Sequence, residues 1–174
     1  SGSHRRPRAS DGAPGTSPIV PPRAEILAVG TLDRDLRPVF DHYVRLLRPW
    51  LTLGTREVRE VALRGRAPAE VLREEGRRLL AAWPPSTTST VALTVDGTAR
   101  DSQGFAAALE RWLERGGVTF VIGGSPGLAA GVVARAGGRL SLSPLTMPHQ
   151  LVRVVLAEQL FRGLSIRRGH PYHH

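Results

Sequence analysis

Short apolar runs alternate with amphipathic stretches along most of this chain, as they do where strands and helices take turns. Ala24 to Gly30 (AEILAVG) has the length and character of a buried strand and ends in glycine. From Asp35 to Leu47 the apolar positions Leu36, Val39, Phe40, Tyr43, Leu46 and Leu47 return at helical spacing. Val58, Val61 and Leu63 predict a second strand. Pro68 opens a helix through Val71, Leu72, Leu79 and Leu80, with proline in the first turn, where its missing N–H costs nothing. Thr90 to Val95 reads as a third strand closed by Asp96-Gly97. A helix from Ser102 through Phe105, Leu109, Trp112 and Leu113 is then stopped by Gly116-Gly117. Val118 to Ile122 predicts a fourth strand, Leu128 to Ala136 a short helix and Leu140 to Ser143 a fifth strand. Pro148 to Leu164 is the longest apolar helix.

Strands that alternate with helices imply a parallel sheet covered on both faces, so the fold class is α/β. A chain of 174 residues suffices for one domain with a sizeable core. Residues 1–22 are rich in Ser, Gly, Pro and Arg without a hydrophobic period. They read as a disordered tail, with Ser1-Gly2-Ser3-His4 a tag remnant, ahead of a single domain over 23–174. No apolar run approaches the length of a membrane span, and the arginine-bearing N-terminus has no apolar core of a signal peptide. A cytoplasmic protein without a membrane partner is the expectation.

Charge changes the picture. The formal net charge is +9, and all 24 basic residues are arginine, with no lysine and no asparagine. A GC-rich genome produces such a bias. Its consequence is that all positive charge comes as flat guanidinium forks, which suit phosphates and stack on bases, so an anionic partner such as nucleic acid is expected. With no cysteine, disulfides, thiolate nucleophiles and cysteine-based zinc sites are excluded. The closing His170-Pro171-Tyr172-His173-His174 has no carboxylate nearby and makes a poor metal site, so no metal is expected.

In an open parallel sheet, ligands gather at the carboxyl ends of the strands. Three such ends carry loop chemistry here: Leu93 to Gly97, Ile122 to Gly127 and Ser143 to Pro148. The glycine loop fits either a phosphate cradle or a plain tight turn. The loop from Leu145 to Met147 is apolar and has no basic residue, so it suits a neutral aromatic ring such as adenine. His149 and Arg153 share one helix face beside that loop and are candidates for function, and Glu158 with Arg162 repeats the spacing.

Taken in order, several segments resemble one family. They are Leu27-Ala28-Val29-Gly30, His42 to Leu46, Glu74-Glu75-Gly76, Asp96-Gly97, Ile122-Gly123-Gly124, Leu145-Thr146, Pro148-His149, Leu151 to Val154, Ala157 to Leu160 and His170-Pro171-Tyr172-His173. The chain from about Ala24 to His173 is similar to the RlmH family, SPOUT-class bacterial methyltransferases acting on N3 of a large-subunit rRNA pseudouridine. The resemblance implies a single-domain parallel sheet with a C-terminal trefoil knot, and a homodimer whose active site is shared between subunits. It implies S-adenosylmethionine as cofactor, lined by Leu93, Gly123, Gly124, Leu142, Ser143, Pro144, Leu145, Thr146 and Met147. On that placement, an arginine at Gly124 would fill the pocket and leave the fold intact. It implies methylation of 23S rRNA on assembled ribosomes, with the target base leaving its stack. His149, Arg153, Tyr172 and His173 are the catalytic candidates, and Arg153, Arg162 and His170 the RNA-binding ones. A histidine is a candidate proton acceptor, because histidine exchanges protons near neutral pH; water is the other.

The chain departs from the family pattern at Pro126, in the long tail up to Pro22, and at His174, where relatives end in a basic residue. Two other functions therefore stand beside the first: a SPOUT enzyme acting on another RNA such as tRNA, and a non-catalytic ribosome- or RNA-binding module.

Overall fold

The computed structural model describes residues 21–173; nearly all of the predicted tail, and His174, lie outside it, as does the side chain of His173. Five strands, β1 (Arg23–Val29), β2 (Thr52–Val58), β3 (Ser89–Ala99), β4 (Val118–Ile122) and β5 (Gly138–Ser141), form one sheet in the order β2-β1-β4-β3-β5. Every pairing is parallel. The helices are α1 (Arg37–Leu47), α2 (Pro68–Ala81), α3 (Ser102–Glu114), α4 (Ala130–Arg135) and α5 (His149–Arg167), and a 3-10 turn at Pro171–His173 closes the described chain.

Strand alternation divides the core into two layers. Ala24, Ile26 and Ala28 of β1 face a large cluster built with Phe40 of α1, Phe105 and Leu109 of α3, and Leu156, Leu160 and Leu164 of α5. Leu27 and Val29 face a smaller cluster with Leu79 of α2 and Val132 of α4. Central β4 is buried along its whole length, which is why its sequence (VTFVI) shows no alternation.

Two expectations need correction. The second strand is Thr52–Val58, upstream of the one predicted: Val61 is buried in the loop that follows, and Leu63 is 46% exposed. As an edge strand β2 buries mainly Leu53 and exposes Thr55, Arg56 and Glu57, so it lacks the apolar run a central strand shows. The third strand does not end at Asp96-Gly97. Leu140 of β5 pairs with both Leu93 and Thr98, so Thr94 to Gly97 bulge out and the strand resumes to Ala99.

Candidate functional site

The bulge, the glycine turn after β4 and the loop after β5 converge at the carboxyl edge of the sheet around a cavity of about 1080 Å³. Leu93, Leu142, Leu145, Met147 and Val152 give it apolar walls, and Gly123, Gly124, Ser143, Thr146 and His149 border it. The three loops singled out in the sequence therefore border one cavity. Pro144 was expected with them but does not border the cavity.

Local chemistry explains the shape. An added Cβ at Gly97 would sit 2.7 Å from the backbone carbon of Leu140, so only glycine lets the bulge close against β5. A Cβ at Gly123 would collide with the carbonyl oxygen of Gly127, so the turn after β4 also depends on glycine. Ser143 Oγ accepts from the N–H of Leu145 at 3.0 Å and Ser141 Oγ donates to the Ser143 carbonyl, which fixes the loop into α5. Thr94, Asp96 and Arg139 also border the cavity, with Arg139 3.7 Å from Asp96. They were not among the predicted site residues, because only the bulge turns this part of β3 toward the cavity. Thr94 Oγ1 is buried without a hydrogen-bond partner among the described residues.

Behind Gly124 lies Glu75, only 2% exposed. One oxygen accepts from the Val61 N–H at 3.1 Å, and the other has no partner among the described residues. Burial pushes this carboxyl above its ordinary range, against the opposing pull of the Val61 N–H. An added Cβ at Gly124 would lie 3.0 Å from the free oxygen and 3.1 Å from Val29 Cγ1. An arginine there would start into Glu75 and the core rather than the cavity, contrary to the sequence expectation of an intact fold.

Arg153 is the principal correction. Its side chain is 0% exposed, with Nη1 on Glu57 at 2.5 Å and Nη2 donating to the carbonyls of Val29 and Gly30 at 2.9 and 2.6 Å. Glu57 also accepts from the Leu32 N–H, and Gln150 clasps Thr31 and Asp33 of the same loop. A guanidinium taken up in this way holds α5 to the end of β1 and cannot grip an RNA phosphate. The helical spacing was right, but the face it shares with His149 turns inward by Arg153.

Of the remaining candidates, Arg162, His170 and Tyr172 form a second group that does not border the cavity. Tyr172 packs on Phe161 at 4.6 Å between ring centroids and donates its hydroxyl to Glu158 at 3.3 Å. Arg162 binds Glu158 at 2.6 Å and lies over the Tyr172 ring. Its hydrogen bond to Glu158 raises its pKa further, and burial pushes the Tyr172 phenol well above its ordinary range. His170 is exposed, with its ring against Trp50 and Phe161. No described helix is long and apolar enough to cross a membrane.

Residues 23–173 match the family described as "Predicted SPOUT methyltransferase". Three similar proteins are each named ribosomal RNA large subunit methyltransferase H. One from Gluconacetobacter diazotrophicus is 47% identical over 150 residues, covering 85% of this chain and 95% of that protein. One from Sorangium cellulosum is 40% identical, covering 87% of this chain and 99% of its own length. One from Azotobacter vinelandii has the same identity and coverage. The parallel sheet, the cavity over its carboxyl edge and these matches place the chain in the SPOUT methyltransferase family, beside the large-subunit ribosomal RNA methyltransferases H.

Proposed function

We propose that this protein transfers a methyl group from S-adenosylmethionine to N3 of a pseudouridine in large-subunit rRNA, on assembled ribosomes, as a cytoplasmic homodimer. The observation that carries the reading is the chemistry of the cavity. Leu93, Leu142, Leu145 and Met147 offer walls for an adenine ring, and the backbone of Gly123 and Gly124 borders the same space. The Thr94 hydroxyl, buried without a partner at that wall, is a polar group left for a ligand to satisfy. The residues present therefore fit the cofactor.

When bound, S-adenosylmethionine supplies a methyl group on a positively charged sulfonium. The chain's residues must hold the acceptor base in line, exclude water and remove the N3 proton. His149, bordering the cavity at the first position of α5, is assigned to positioning the base. A histidine or water takes the proton.

Arg162, His170, Tyr172 and His173 are assigned to the same site from a second subunit. Two observations support this. The described members of the group do not border the cavity of their own chain. And α5 leaves Leu151 37% exposed and Val155 only partly covered, apolar surface that a second subunit would bury. The family's trefoil knot, threaded between β4 and α5, belongs to this reading.

Incubation with labelled S-adenosylmethionine and ribosomes lacking the modification tests it. Label at N3 of a large-subunit pseudouridine is the expected result. Label only in a tRNA pool would move the substrate to another RNA, and no cofactor binding would leave an RNA-binding module.

A further inference from the structure

The three helices on the α5 side of the sheet end alike. α1 carries Arg45 in its last turn and Arg48 as its C-cap; α3 carries Arg111 and Arg115; α5 carries Arg167 and Arg168. On the other face, α2 and α4 each have one arginine in the last turn and alanine as the C-cap. One arginine in the last turn is enough to complement a helix dipole, and α2 and α4 show this fold managing with that. The second arginine, on each of three neighbouring helices, needs another explanation.

Topology brings the three ends together. Each of these helices runs back from the carboxyl edge of a parallel sheet, so α1, α3 and α5 all end at the edge where the strands begin, opposite this chain's own cavity. Contacts confirm the juxtaposition. Arg168 lies 5.3 Å over the Trp50 ring, just after α1, and Arg167 pairs with Glu110 of α3. Arg45, Arg48, Arg111 and Arg115 are exposed and have no carboxylate within salt-bridge distance among the described residues. Trp50, stacked on Phe161, ties the end of α1 to α5.

We infer that this edge is a docking surface for the RNA phosphate backbone, opposite the chain's own cavity and beside the tail group that the proposed dimer brings to the partner's cavity. Guanidinium forks on three rigid helix ends present phosphate-binding geometry without requiring any part of the chain to order itself. The inference rests on the proposed action on rRNA and names where the body of that RNA is held.

The test is the double variant Arg48→Ala/Arg115→Ala, which leaves the aromatic contacts of Trp50 and the tail in place. A second double variant, Arg64→Ala/Arg73→Ala, removes the same charge on the other side of the sheet. Affinity for ribosomes lacking the modification is measured across salt concentrations for both variants and the wild type, together with S-adenosylmethionine affinity by calorimetry. The first variant should lose about tenfold in ribosome affinity, with a salt slope shallower by about two. It should keep wild-type cofactor affinity, and Arg64→Ala/Arg73→Ala should stay near wild type on all three. Equal slopes for wild type and Arg48→Ala/Arg115→Ala, or equal losses in both variants, overturn the surface while leaving rRNA methylation untouched. If the wild type ignores ribosomes but binds a tRNA pool with the same dependence on Arg48 and Arg115, the rRNA reading fails and the surface stands.

Discussion

Arg153 and Glu75 are both buried, and the fold treats the two charges differently. Arg153 has a carboxylate and two carbonyls within hydrogen-bond reach. Removing it leaves the buried carbonyls of Val29 and Gly30 without their guanidinium donor, so Arg153→Met should cost about 2–5 kcal/mol in urea unfolding. Ribosome affinity per folded molecule should be unchanged; selective loss of RNA binding in a protein of normal stability would restore a direct RNA contact. Among the described residues, Glu75 has one N–H donor and no cation bonded to it. Burial raises its pKa, as does Glu60, while the Val61 N–H, His149 and Arg78 lower it, and burial dominates. The folded protein thus holds this proton to higher pH than the unfolded chain. Its stabilising effect is complete below the ordinary value of 4.5 and is lost as pH rises through the raised folded value. Glu75→Gln keeps an acceptor for Val61 and cannot ionise. Its Tm advantage over wild type should therefore be absent near the ordinary carboxylate pKa and grow toward neutral pH. A Tm difference that does not vary with pH would contradict the assignment.

At the scale of elements, the bulge in β3 decides the shape of the cavity. It puts Thr94 and Asp96 on the wall and depends on Gly97 lying against Leu140. Gly97→Ala should weaken S-adenosylmethionine binding by at least about tenfold, roughly 1.4 kcal/mol, with helix content by circular dichroism retained. Unchanged affinity would mean that the bulge does not shape the cofactor site. Strands with strong apolar runs, β1 and β4, were legible in the sequence because burial on both faces writes a continuous signal. So were the long helices, which have proline or glycine at their boundaries. β2 was misplaced because an edge strand with Thr, Arg and Glu outward looks like a loop, and Val61 beyond it supplied a false apolar period. The bulge was invisible because Asp96-Gly97 ends a strand far more often than it interrupts one. The cavity's loops were legible, since glycine and apolar residues at strand ends mark them. The role of Arg153 was not, because helical spacing says which residues share a face and not what that face meets.

At the scale of the molecule, one chain holds two groups of candidate residues that do not meet. The cavity carries His149, while Arg162, His170 and Tyr172 gather at the far end of α5. The proposed dimer joins the cavity of one subunit to the tail group of the other, as symmetric pairing allows. Thr146→Arg is designed to fill the cavity from its exposed loop, and Tyr172→Ala to disable the tail group. Each homodimer should be inactive. Co-expressed, the two variants form mixed dimers in which one site has both halves intact. Methyl transfer to unmodified ribosomes by the separately expressed and co-expressed variants is therefore the most direct measurement. Recovery to about one quarter of wild-type activity is expected in the co-expressed sample, from half the dimers each with one working site. Co-expressed protein that forms mixed dimers yet stays inactive would contradict a site built from two subunits.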